Sequence, residues 1–282
     1  PPQALEVLEK RMAEASEYYR DRMGAWTEGF MDRLEDDLSR QSFATFLRQN
    51  IKCYALRGFA TCYPVQPPAQ SAAWRREREA ADHDFPQLTG CADDLREFFL
   101  RDTFIYEQYA VPGVIEARPG DVVVDAGAFI GDTACYFSRK TGPSGRVYAF
   151  EAVPASAAFA RENMRLNGCD NVEVLELALS DTETTFPLVL NAHFASASCL
   201  GDSGAAAGGE AVTVQAVPLD AFVAQRGTRV AFLKADIEGA ELAMLHGAQE
   251  TIREQAPVLA LALYHKQEDF WRLPQYISEL EP

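Results

Sequence analysis

No stretch of this chain approaches the roughly 18 to 20 uninterrupted apolar residues that a membrane-spanning helix needs. Its first segment, PPQALEVLEKRMAEASEYYR, is polar with helical spacing and lacks the apolar core of a secretory signal. The two absences predict a cytoplasmic protein with no membrane partner. Positive charge is also scarce: 26 Lys and Arg stand against 42 Asp and Glu, a net charge of -16. Phosphate neutralisation needs a basic surface, so nucleic acid is disfavoured as the main partner. Six cysteines (Cys53, Cys62, Cys91, Cys135, Cys169 and Cys199) include no CxxC pair. Without an export signal they read as reduced thiols, and their spacing argues against a zinc site. Missing too are GxGxxG and GxxxxGKS, the glycine loops that cradle dinucleotides and triphosphates.

What remains is an ordinary globular composition, 48% hydrophobic and 24% charged over 282 residues, enough for one large domain or two moderate ones. Residues 1–100 read as helices, with Leu5, Leu8, Met12 and Ala15 on one stripe and MDRLEDDLSRQSFATFLRQNI continuing the spacing. CYPVQPPAQSAAWRREREAADHDF reads as a surface loop. This region is expected to be a cap or a homodimerisation element. Residues 101–282 alternate. DVVVDAG, RVYAFE, NVEVLELAL, RVAFLKAD and PVLALALYH are short β-branched runs separated by helical patterns such as PASAAFARENMRLNG and AELAMLHGAQETI. TTFPLVL and AVTVQAV form an antiparallel insertion around the Ser/Gly/Ala-rich ASASCLGDSGAAAGGEA. The fold class is α/β, a doubly wound Rossmann-like sheet with ligands at the strands' carboxyl ends.

The chemistry concentrates in VVVDAGAFIGDT. Asp125 closes the first strand, and Gly127 and Gly131 bracket a tight turn into a helix whose N–H groups point forward. A carboxylate there repels a pyrophosphate but suits an ammonium group, and the free N–H groups suit a carboxylate. Glu151, at the tip of the second strand, can accept both hydroxyls of a ribose. An amino-acid tail and a ribose on one ligand describe S-adenosylmethionine. An empty βαβ unit is the competing reading, and it leaves Asp125 and Glu151 unexplained.

From DVVVDAGAFIGDTACYFS through GRVYAFEAVP, NVEVLELALSD, VPLDAFV and FLKADIEGAELAMLHGAQETI to PVLALALYHKQEDFWRLPQYI, the chain closely resembles the FkbM-type family of S-adenosylmethionine-dependent methyltransferases. The resemblance runs from about Gln108 to Ile277 and leaves the first hundred residues uncovered. It implies a class I methyltransferase fold and methyl transfer to a hydroxyl oxygen. The cofactor contacts it implies are Asp125, Gly127, Ala128, Gly131, Asp132, Thr133, Glu151, Ala178, Leu179 and Asp236, with Ala178 and Leu179 at the end of the third strand beside adenine. Ser180 or Asp181 stands in for the acid that related enzymes place there. The antiparallel strand pair that ordinarily ends this fold is not evident before Pro282.

FLKADIEGAE supplies the acceptor side. Phe232, Lys234 and Asp236 share one face of the strand, so Lys234 is expected to pair with Asp236 or Asp125. Glu241, one turn into the next helix, reads as a solvated or dipole-favoured acid. A hydroxyl acceptor needs a base as its new bond forms. The catalytic candidates are Asp236 and His265 as alternative bases, with Glu238 orienting. A divalent metal on Asp236, Glu238 and His265 is a further arrangement, but these ligands form no tight motif and no metal site is assigned. His193 in HFASAS is a candidate lid residue; His83 and His246 carry no signal. The acceptor is a small-molecule hydroxyl on a sugar, polyketide or lipid-linked compound. The alternative is a non-catalytic S-adenosylmethionine- or nucleoside-binding module that docks a protein. An NAD-linked oxidoreductase ranks behind both for want of GxGxxG.

Overall fold

The computed structural model describes residues 83–111, 115–190, 198–199, 211–266 and 268–280, with scattered single positions up to residue 81. The expected stripe at Leu5, Leu8, Met12 and Ala15, His193 and most of the Ser/Gly/Ala-rich loop lie outside the described residues. The chain divides into two compact units, 1–81 and 82–282. No helix among the described residues is long and apolar enough to cross a membrane.

In chain order the second unit contains α1 (Asp93–Leu100), β1 (Val122–Ala126), α2 (Asp132–Thr141), β2 (Arg146–Phe150), α3 (Pro154–Leu166), β3 (Val172–Leu175), β4 (Ala178–Leu179) and β5 (Thr184–Leu190). There follow β6 (Ser198–Cys199), β7 (Ala211–Val217), α4 (Leu219–Arg226), β8 (Phe232–Ala235), α5 (Glu241–His246), α6 (Gln249–Gln255), β9 (Val258–Leu261) and α7 (Asp269–Leu280). A wider π-type turn, Arg101–Ile105, extends α1.

Five parallel strands pair in the order β3-β2-β1-β8-β9. Their near-continuous apolar runs follow from burial on both faces. Alternate residues show the two faces: Val123, Val147, Ala149 and Phe232 pack with Phe137 of α2 and Met164 of α3. Val124, Phe150 and Leu233 pack instead with Phe222 of α4, Met244 and Leu245 of α5 and Leu273 of α7. Helices on both faces make the sheet doubly wound, as the alternating pattern predicts. Pro154 opens α3, where its missing N–H costs nothing. The antiparallel insertion is also present: β5 and β7 pair from Thr184↔Ala216 to Val189↔Ala211 in a second sheet, β4-β7-β5-β6.

Three local expectations are corrected. NVEVLELAL is not one strand: β3 ends at Leu175, and Ala178 and Leu179 switch sheets to pair with Ala216 and Val217 of β7. Ala178 and Leu179 therefore do not stand at the third strand's tip. AELAMLHGAQETI is two helices, broken at Gly247, where an added Cβ would lie 2.0 Å from the Ser180 carbonyl oxygen. The close approach of these backbones pins the chain where it changes sheets and interrupts the helix. Lastly, PVLALALYH pairs only over Val258–Leu261, so His265 sits beyond the strand, on the segment leading to α7.

At the sheet's centre Asp125 of β1 lies directly across from Lys234 of β8. Their charged groups are 2.9 Å apart, with side-chain exposures of 0% and 1%. Of the two partners the sequence allows Lys234, the register selects Asp125. Removing one member of such a pair strands a charge in the core. Lys234→Met is expected to cost about 3–5 kcal/mol in urea denaturation followed by circular dichroism. Adding Asp125→Asn to it should recover part of the loss, and additive losses would show that the two side chains do not depend on each other.

Candidate active site

The turn after β1 is tied to both neighbouring strands. The N–H groups of Gly127 and Ala128 both donate to the Phe150 carbonyl, at 2.9 and 3.0 Å. Gly127 has φ 76°, and a Cβ there would fall 2.0 Å from the carbonyl oxygen of Asp236, so only glycine fits between these two loops. Lys234 Nζ donates to the carbonyls of Ala126 and Gly127, at 3.1 and 2.7 Å, and so holds the turn from beneath. Phe129 and Glu238, in the loops after β1 and β8, are non-glycine residues with left-handed backbones, φ 48° and 56°. Such conformations concentrate where surrounding structure holds a functional loop.

Glu151 caps β2 from a buried position. Its Oε2 accepts the Phe129 N–H and its Oε1 the Val153 N–H, both at 2.8 Å. Burial pushes its carboxyl up to about 7, against the pull of those two backbone donors. Asp125 is committed inward: Lys234 holds one oxygen and the Thr133 hydroxyl donates to the other at 2.7 Å. Asp132, the first residue of α2, accepts the Thr103 hydroxyl at 3.0 Å, and burial pushes it up to about 6 against Lys234 and that hydrogen bond.

Beyond β8 the side chains converge on one imidazole. His265, with its side chain 9% exposed, has Nε2 3.3 Å from Asp236 Oδ1 and 3.4 Å from Glu238 Oε2, while Nδ1 lies 2.9 Å from Glu241 Oε1. Here the solvated reading of Glu241 is corrected. It is fully buried at the start of α5, where Oε1 also accepts the Ile237 N–H at 2.9 Å. Asp236 is bracketed by phenols: Tyr109 donates to Oδ2 at 3.1 Å and Tyr264 reaches both oxygens at 2.8 and 2.9 Å. Burial disfavours the imidazolium of His265, but the hydrogen bond and charge of Glu241, with Asp236 and Glu238, outweigh it and raise its pKa. Glu238 is also raised, by burial, with His265 opposing.

Asp236, Glu238 and His265, singled out as the catalytic set, are thus brought together with Glu241, Tyr109 and Tyr264, which sequence reasoning missed. Tyr264 adjoins His265 in the chain, but nothing local marks Tyr109, 127 residues from Asp236. One donor atom each from Asp236, Glu241 and His265 lies within 4.8 Å of the others, a spacing one divalent ion could bridge, yet these donors already engage one another. Ser180 and Asp181 hydrogen-bond each other at 3.2 Å at the sheet switch.

Residues 125–281, more than half of the chain, match the model of the Methyltransferase FkbM domain. The protein-L-isoaspartate O-methyltransferase of Ignicoccus hospitalis is 40% identical over 112 residues, 36% of this chain and 53% of that protein. Its counterpart from Aeropyrum pernix is 33% identical over 85 residues, 28% of this chain and 32% of that protein. The chain therefore spans about a third to a half of the length of these curated relatives. The crystal structure of methyltransferase FkbM from Methylobacillus flagellatus KT superposes with a TM-score of 0.58 at 20% identity, over 93% of this chain and 54% of that one, a likeness of fold. The chain belongs to the FkbM family of methyltransferases, whose methyl donor is S-adenosylmethionine.

Proposed function

We propose that this protein is an O-methyltransferase that moves the methyl group of S-adenosylmethionine to a hydroxyl of a small molecule such as a sugar or polyketide. One observation carries the reading: the imidazole of His265 and the carboxylate of Asp236 meet at the carboxyl end of β8, beside the glycine turn that ends β1. A doubly wound sheet binds its ligand at that edge.

The chain's residues fit the donor. Glu151 spends each carboxylate oxygen on a single N–H, leaving acceptor capacity for the two ribose hydroxyls. The Gly127 turn brings backbone close, and the loop and helix start at Gly131, Asp132 and Thr133 are suited to the amino-acid tail. When bound, the sulfonium supplies an activated methyl group. The acceptor oxygen attacks that carbon, the carbon–sulfur electron pair leaves with sulfur, and the hydroxyl proton passes to Asp236 or His265. Glu238 orients the imidazole from 3.4 Å.

The isoaspartyl O-methyltransferases to which the chain is similar take, by name, a carboxyl acceptor. Around His265 lie three carboxylates, Asp236, Glu238 and Glu241, which repel an anionic acceptor. A carboxylate also needs no base. Both points favour a neutral hydroxyl, and a pure binding module leaves the converged imidazole without a purpose.

A panel of methyl glycosides, macrolactone alcohols and an isoaspartyl peptide, assayed for adenosylhomocysteine release, is expected to give turnover with a hydroxyl compound only. Turnover with the peptide alone would sink the hydroxyl reading. His265→Ala should lower kcat on the hydroxyl acceptor by about 10²–10⁴-fold, with adenosylhomocysteine affinity unchanged by calorimetry. Glu151 sets a pH dependence. It is neutral below its raised value near 7 and a diol acceptor above it, so adenosylhomocysteine affinity should rise as pH climbs through 7. The proton it holds in the folded state contributes stability at low pH that is lost over the same climb. Glu151→Gln should weaken binding and flatten this profile; a profile unchanged by the substitution would remove Glu151 from the site.

A further inference from the structure

The geometry points to Glu241 as a positioning residue that fixes His265 in its Nδ1–H form, making His265 Nε2, rather than Asp236, the atom that takes the acceptor's proton. This rests on the methyltransferase reading and decides what that reading leaves open. A carboxylate only accepts hydrogen bonds, so with Glu241 in that form the 2.9 Å contact between its Oε1 and His265 places the ring proton on Nδ1. Oε1 is itself anchored by the Ile237 N–H, so the imidazole is referenced to the backbone of the loop that follows β8.

Two further observations separate this arrangement from scaffolding. Glu241 is fully buried, and its other oxygen, Oε2, has no hydrogen-bond partner. A buried carboxylate with one oxygen unmet is a net cost to the fold, and such costs persist where the group serves the site. Asp236 differs in kind: its oxygens already accept the hydroxyls of Tyr109, at 3.1 Å, and Tyr264, which lies within reach of both. Its Oδ1 faces Nε2 at 3.3 Å and is placed to stabilise the imidazolium once formed.

Glu241 approaches from α5, Asp236 and Glu238 from the loop after β8, and the Tyr264 ring lies tilted beside the imidazole with centroids 4.4 Å apart. Lys266 Nζ turns away to the Gly239 carbonyl, and Asp269 of α7 feels the charge of Glu241. In the step itself the acceptor O–H bond breaks, its electron pair forms the new O–CH3 bond, and the C–S pair goes to sulfur. The proton moves to Nε2, and later to water.

The test uses the full chain saturated with adenosylhomocysteine. Nitrogen-15 NMR of the neutral imidazole should show His265 protonated at Nδ1 in the wild type. In Glu241→Gln the amide can donate to the ring, so the proton should shift toward Nε2. With the best hydroxyl acceptor of the panel, Glu241→Gln should lose about 10²-fold or more in kcat, with acceptor KM, adenosylhomocysteine affinity and melting temperature held. Asp236→Asn should retain more activity than His265→Gln. An unshifted tautomer, an unchanged kcat, or kcat falling together with melting temperature and ligand affinity would overturn the assignment, as would Asp236→Asn proving the more damaging substitution. The NMR measurement needs no acceptor, so it stands even if the panel yields no turnover and the hydroxyl reading fails.

Discussion

A lysine in the middle of a parallel sheet is the constraint around which this unit is organised. Lys234 has no access to water, so its charge must be met where it stands, and Asp125 across the ladder meets it. The same ammonium then donates to the Ala126 and Gly127 carbonyls, which extends the pair's influence from the sheet into the turn above it. Hydrophobic residues of similar volume could pack here at no loss of stability, but they could not hold two carbonyls in place. The ion pair thus trades core stability for the shape of a loop.

That loop couples the two halves of the site. Gly127 touches the Asp236 carbonyl so closely that no side chain fits, and Asp236 N–H donates to the Ala126 carbonyl at 3.1 Å. The turn proposed to receive the methyl donor and the loop proposed to hold the base are therefore adjoining backbone with little freedom between them. In-line transfer depends on donor and acceptor being set within a fraction of an ångström, and contact between backbones achieves this without relying on flexible side chains.

Much of this architecture was legible because parallel strands buried on both faces write continuous apolar runs, as in VVVDA and FLKA, and Pro154 marks a helix start. Asp236, Glu238 and His265, which follow two such runs, could be singled out from the sequence, and the fold brings their side chains together. What escaped depends on partners far away in sequence. The switch of Ala178 and Leu179 into the second sheet is decided by β7 and by the backbone of Gly247. Glu241 looks like any acid in a first helical turn until His265, 24 residues on, folds over it. Tyr109 belongs to a segment with no strand or helix pattern of its own.

The amide of Asn163 gives the unit's outer limits a different meaning. Fully buried in α3, it accepts from the N–H and hydroxyl of Thr89 and donates to the carbonyls of Thr89 and Ile130. One side chain thereby staples the stretch before α1 to the end of the glycine turn, although the family match begins only at residue 125. Homology and folding unit are not coextensive in this protein. A fragment cut where the family match starts would lose Val122, Val123 and Val124 of the central strand together with the stretch that Asn163 ties down.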